Sequence, residues 1–149
     1  MLLDFSIKTL EYSYTIDDDA SAGIHCLNQI VEEIEESEKV YDSKDFILNK
    51  DYGDSLGFVL KKRYENRFAY IYFAHRDGIV WRIAYNTHID NPAEISFGNL
   101  KDKGVNAISD GILSVENSNF DDKSGLISLN IKVSEDKNGN YSTQIYRGK

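Results

Sequence analysis

The chain has one cysteine, one proline, one methionine and one tryptophan among 149 residues. A lone Cys26 excludes an intrachain disulfide and a four-cysteine zinc site, so a reducing compartment is the default expectation. No run of 18 apolar residues occurs, and no membrane span is expected. The opening "MLLDFSIKTLEYSY" lacks a basic start and meets Asp4 before an apolar stretch develops, so it does not read as a signal peptide. A cytoplasmic protein is the expectation that follows. Also missing are the GxSxG elbow, the GxxxxGK[ST] phosphate loop, the HExxH pair and the GxGxxG turn. No motif therefore announces catalysis or a cofactor.

What is there is a globular composition, 41% hydrophobic and 28% charged. A chain of this length buries roughly 68 to 70% of its unfolded surface as one domain, and residues 1–149 are read as one. The net charge is −8, and it is unevenly placed. Residues 1–55 carry 14 acidic against 4 basic side chains, residues 56–100 carry 4 against 6, and residues 101–149 carry 7 against 7. A negative first third repels phosphate backbones, which argues against nucleic acid as a partner, and draws in basic proteins.

"TIDDDASAGIHCLNQIVEEIEESEKV" holds the long helix. Ile24, Leu27, Val31 and Ile34, with Ile30 on the flank, make one apolar stripe. Asp17, Asp18 and Asp19 stand where a helix N-terminus favours negative charge, and mark its start near residue 18. Glu32, Glu33 and Glu36 project away from the stripe with His25 and Gln29, as an acidic outer face. Cys26 falls at the stripe margin, where a small, partly buried hydrophobe is expected.

The remainder reads as strands: "LDFSIKT" first, then "DFILNK", "LGFVLKKRY", "RFAYIYFAH", "IVWRIAYN", "ILSVEN", "LISLNIKV" and "YSTQIYR". Short Gly, Asn and Asp connections imply antiparallel neighbours. Residues 93–111 read as irregular or as containing a short helical turn. The turns "HRDGI" and "DKNGN" each admit a two-residue primed loop or a three-residue loop with a glycine bulge. The choice decides which faces pair. If the sheet is covered on one face only, three-residue loops are favoured, because they gather the apolar residues. They place Ile71, Phe73, Trp81 and Ile83 inward and Tyr70, Tyr72 and Arg82 outward. In the last hairpin they place Leu129, Ile131 and Val133 with Tyr141, Thr143 and Ile145.

The fold class expected is α+β: an antiparallel sheet of six to eight strands in β-α-β-β-β order, packed on one long helix from the first third. That element order resembles cystatin-like or helix-grip folds, in which a curved sheet wraps a helix. The cystatin QxVxG stretch is absent, so the resemblance implies nothing about protease inhibition.

Chemistry has few candidates. "NSNFDDKSG" places Asn117, Asn119 and Asp121 at alternate positions, but Asp122 stands where a calcium loop needs glycine and Ser128 where it needs glutamate. It is read as an acidic turn, and no metal is expected. His75 and His88 would be acid and base of a small hydrolase or nuclease, yet strand geometry sets them roughly 25 Å apart. The expectation is a non-catalytic, cofactor-free binding protein. It would use Asp17, Asp18, Asp19, Glu32, Glu33 and Glu36 toward a basic protein, and Tyr70, Tyr72 and Arg82 as an aromatic face, the alternative being that another element covers these tyrosines as a second small core. Its charge and size have the general character of bacterial immunity proteins that neutralise nuclease toxins. The outward tyrosines would equally serve a homodimer. The alternative expectation is a small-ligand carrier with a pocket lined by Trp81, Tyr85 and Tyr141.

Overall fold

A computed structural model describes residues 18–98 and 104–148. The expected first strand and Asp17 lie outside these residues, as do the side chains of Asp18 and Asp19. Helix α1 spans Asp18–Glu36. The strands are β1 (Lys39–Asp42), β2 (Asp54–Arg63), β3 (Phe68–Arg76), β4 (Ile79–Thr87), β5 (Val105–Ser109), β6 (Asn119–Asp121), β7 (Leu126–Lys132) and β8 (Asn140–Tyr146). The class is α+β, with the helix preceding antiparallel strands. Among the described residues the strands form two sheets, in orders β1-β2-β3-β4-β5 and β6-β7-β8.

The stripe on α1 is buried as its spacing demands, and Leu27, Ile30 and Ile34 are fully enclosed. It joins a core made by Phe58, Leu60, Ile71 and Phe73 of the five-stranded sheet and Ile127, Leu129, Ile131 and Ile145 of the three-stranded sheet. The helix is thus covered by both sheets. The two meet where β2 bulges: its register shifts between Ser55 and Val59, and Gly57 adopts φ 108°. A Cβ on Gly57 would lie 2.9 Å from the Asn119 Cα, so only glycine lets β6 approach here.

A second core fills the other face of the five-stranded sheet. Val59, Tyr70, Tyr72, Ala74 and Ile83 pack there under Phe46, Ile95 and Phe97. The cover comes from two connections, residues 43–53 and 89–97. Each contains short 3-10 turns, Ser43–Asp45 and Lys50–Tyr52 in one and Pro92–Glu94 in the other. Ile47 and Ser96 form a bridge between them.

This second core corrects the expected hairpin register. Arg76 pairs with Ile79 across Asp77 and Gly78, whose φ angles are 54° and 80°. Both lie in the left-handed region, which is the primed two-residue turn. Tyr70 and Tyr72 therefore share a face with Trp81, Ile83 and Tyr85, whereas Arg82 shares one with Ile71 and Phe73. The three-residue loop was favoured by assuming one bare face, and this sheet has none.

The last hairpin keeps its expected faces. Leu129 pairs with Thr143 and Ile131 with Tyr141, but Lys132 pairs with Asn140, so the loop is longer than the turn motif implies. "DFILNK" is not a strand but a pair of 3-10 turns flanking Ile47, and "ILSVEN" contributes only the bridge from Ser114 to Lys132. Conversely, β5 emerges from residues expected to be irregular.

Candidate binding groove

The sequence-predicted residues divide sharply in the structure. Tyr70 and Tyr72 are fully buried, so the expected aromatic surface face does not exist. Tyr72 Oη accepts from Asn49 N at 3.0 Å and donates to Asn49 O at 3.2 Å. Tyr70 Oη donates to the carbonyl of Asp90 at 2.8 Å. Burial raises both phenols above the usual tyrosine range; Lys61 opposes the shift at Tyr70 and the Asn49 hydrogen bond opposes it at Tyr72. Trp81 and Tyr85 lie on the second core and Tyr141 on the first, so the three never line one pocket.

On α1, Glu32 is exposed and carries no ion pair among the described residues. Glu33 is not on the outer face as expected. It follows buried Cys26 by seven residues and Ile30 by three, which brings it to the sheet, where Lys62 Nζ reaches it at 2.8 Å and Arg82 Nε at 2.9 Å. Burial alone would raise its carboxyl, but these two hydrogen bonds outweigh it and the net shift is downward. Glu36 also receives Lys62, at 3.0 Å. Thus Glu33 and Glu36 are partly spent inside the molecule.

Lys61, one residue before Lys62, points to the opposite face. Its ammonium is buried beside the Asp90 carboxylate and lies 4.6 Å from the Phe68 ring centroid. Burial would lower this ammonium, but the Asp90 hydrogen bond and nearby charges hold it above the usual lysine range. Arg63 Nε donates to Glu38 at 2.7 Å. Lys61 and Lys62 are therefore held in buried ion pairs, while Arg63 stays half-exposed.

The histidines are not brought together. His75 precedes the β3–β4 turn and donates from Nε2 to the Ile112 carbonyl at 2.7 Å, while His88 follows β4 and donates from Nδ1 to the Asn66 carbonyl at 2.8 Å. From Val80, the partner of His75, to His88 the strand advances roughly 25 Å. His25 is exposed on α1. Asp121 Oδ1 accepts from Lys123 N at 3.0 Å within an acidic turn.

A further hollow lies where no sequence pattern pointed. A groove of about 560 Å³ runs beside β1 from Glu38 to Asp42 and is closed on the far side by Phe120, Asp122 and Gly125. Its end is Arg147, whose guanidinium donates to Ile34 O at 3.1 Å and Ser37 O at 2.7 Å. Those carbonyls finish α1, whose last turn has no basic residue of its own, so a cation from the chain end satisfies its negative pole. Tyr41 and Phe120 supply partly buried aromatic surface.

Charge in this groove is unbalanced. Glu38 is paired with Arg63, and Arg147 is committed to the helix end. Asp42 only caps a 3-10 turn through Lys44 N, at 2.9 Å. Together with Asp45 and Asp122, it has no ion-pair partner among the described residues. Lys39, 5.1 Å from the Tyr41 ring centroid, is the remaining cation on the wall. Asp42 and Asp45 belong to the acidic first third, but their meeting with Phe120 and Asp122 depends on β6 reaching β2 at Gly57. No local pattern announces that contact.

Fold and groove together define an acidic, two-sheet α+β protein. No family model, no curated protein and no solved structure matches the chain. Among the described residues no helix is long and apolar enough to cross a membrane.

Proposed function

We propose that this chain is a non-catalytic binding protein for a basic protein partner, of the inhibitor or immunity type that neutralises a bacterial nuclease toxin. The observation that carries the reading is the groove beside β1, where Asp42, Asp45 and Asp122 stand without cationic partners around aromatic surface. Carboxylates arranged this way match a Lys- or Arg-bearing surface, and the −8 charge accelerates its approach. Exposed Glu32 and half-exposed Glu36 on α1 extend the negative field beyond the groove.

The test is co-purification with the basic products of adjacent reading frames, followed by binding kinetics at low and high salt. Association should slow with salt, and again in Asp42→Lys with Asp45→Lys, both residues lying outside the cores. An association rate unchanged by salt and by both reversals would sink the reading.

A further inference from the structure

The groove has a second property besides charge. β1 ends the five-stranded sheet, so one of its edges pairs with β2 while the other has no strand partner among the described residues. Lys39 to Asp42 of this strand, with Glu38 just before it, line the groove. A free edge offers backbone N–H and C=O groups at strand spacing, which is a template for an added strand.

The facing wall belongs to the other sheet. β6 is likewise the end strand of its sheet, and Phe120 of β6 and Asp122 beyond it line the same hollow. The sheets touch at Gly57, where β6 approaches β2, and β6 also comes near β1, so the hollow lies between the end strands of the two sheets. Among the described residues, edge geometry, aromatic surface and carboxylates without ion-pair partners coincide in this groove.

Resting on the binding function proposed above, we infer that the groove receives an extended, arginine- or lysine-bearing segment of the partner, which joins β1 as an additional strand. Backbone pairing to β1 gives the segment its direction and register. Cationic side chains meet Asp42, Asp45 and Asp122, and a guanidinium stacks on Tyr41 or Phe120. Since β1 is only four residues long, the strand supplies specificity while charge supplies the on-rate.

The probe is a short acetylated peptide alternating arginine and valine, followed by NMR of the full chain. Two companions accompany it: the same peptide N-methylated on alternate amides, and one with glutamate for arginine. The expected result is shifts concentrated at residues 38–42 and slower amide exchange in β1. N-methylation should weaken binding by at least about tenfold, since it removes the pairing edge. The Asp45→Lys, Asp122→Lys double variant, altered only at exposed positions, should weaken it similarly.

If the methylated and unmethylated peptides bind equally and the charge reversal still abolishes binding, strand addition is wrong while the charge reading stands. Equal binding of the glutamate peptide removes the charge reading as well. If β1 amides are already protected in the free protein and no peptide alters them, the edge is held by another part of the chain or a second copy, and the inference falls.

Discussion

Arg82 of β4 donates from Nε to Glu33 of α1 at 2.9 Å. With a second, longer bond from Nη2 it adds a polar tie between the central hairpin and the helix, and it forms because the two-residue turn places Arg82 on the helix side of the sheet. The neighbouring strand contributes Lys62 to the same carboxylate. A carboxylate that shows 19% of its side chain to solvent is thereby held by two cations.

Removing Glu33 leaves Arg82 without its carboxylate and Lys62 with Glu36 alone. Glu33→Gln and Arg82→Met should each destabilise, with a double-mutant coupling of about 1.5 kcal/mol, as for a partly desolvated charged hydrogen bond. The pH dependence has a definite sign. The folded carboxyl titrates below its ordinary value of 4.5, so its stabilisation is present above that pH and is lost as pH falls through the folded value. Urea midpoints of wild type and Glu33→Gln should converge on acidification below pH 4.5. A gap that stays constant there would remove Glu33 from the ion-paired state.

How much of this was legible in the sequence depends on the range of the contacts involved. The helix stripe is written in a spacing of three and four, so Ile24, Leu27 and Ile34 could be placed inward without knowing what covers them. The faces of β7 and β8 survive an error in loop length, because moving from the turn motif to the true pairing shifts the register by an even number. The β3–β4 hairpin has no such protection. Its two candidate loops differ by one residue, and a one-residue slip exchanges every side chain between faces. Both faces of β3 are rich in apolar side chains, so alternation could not decide. What decided was the cover from residues 43–53 and 89–97, built from 3-10 turns with no repeating apolar period. The groove was hidden for the same reason, since its walls come from three distant parts of the chain.

The turn itself offers a direct check. Gly78 has φ 80° and open space around it, for the nearest atom to an added Cβ is Ile112 O at 3.9 Å. Gly78→Ala should therefore cost only the left-handed penalty, about 1 to 2 kcal/mol. Asp77, at φ 54°, should accept Asn with no loss, because Asn-Gly favours the same primed turn. Chemical denaturation distinguishes these outcomes. A neutral Gly78→Ala would argue against this turn type.

Tyr72→Phe tests the second core. The hydroxyl exchanges two hydrogen bonds with the Asn49 backbone beneath the 43–53 connection, so its loss should cost about 1 to 3 kcal/mol. Tyr146→Phe, on a side chain that is 62% exposed, should change stability by no more than about 0.5 kcal/mol. Equal and negligible effects would mean that Tyr72 faces water, as the three-residue loop would have it.

Cys26 should behave as a core residue and not as a thiol. It is fully enclosed in the core around α1, and burial pushes its pKa up to about 12, offset only in part by Ser109. At neutral pH the thiolate fraction is on the order of 10⁻⁵, and only the thiolate attacks. An aromatic disulfide reagent should leave the native chain unmodified and titrate one thiol once denaturant is added. Because modification must then wait for opening, its rate in intermediate denaturant should follow the unfolding equilibrium and fall when stability is raised. Labelling at the rate of a free cysteine in native buffer would place Cys26 at the surface and undo the packing of α1 between the sheets.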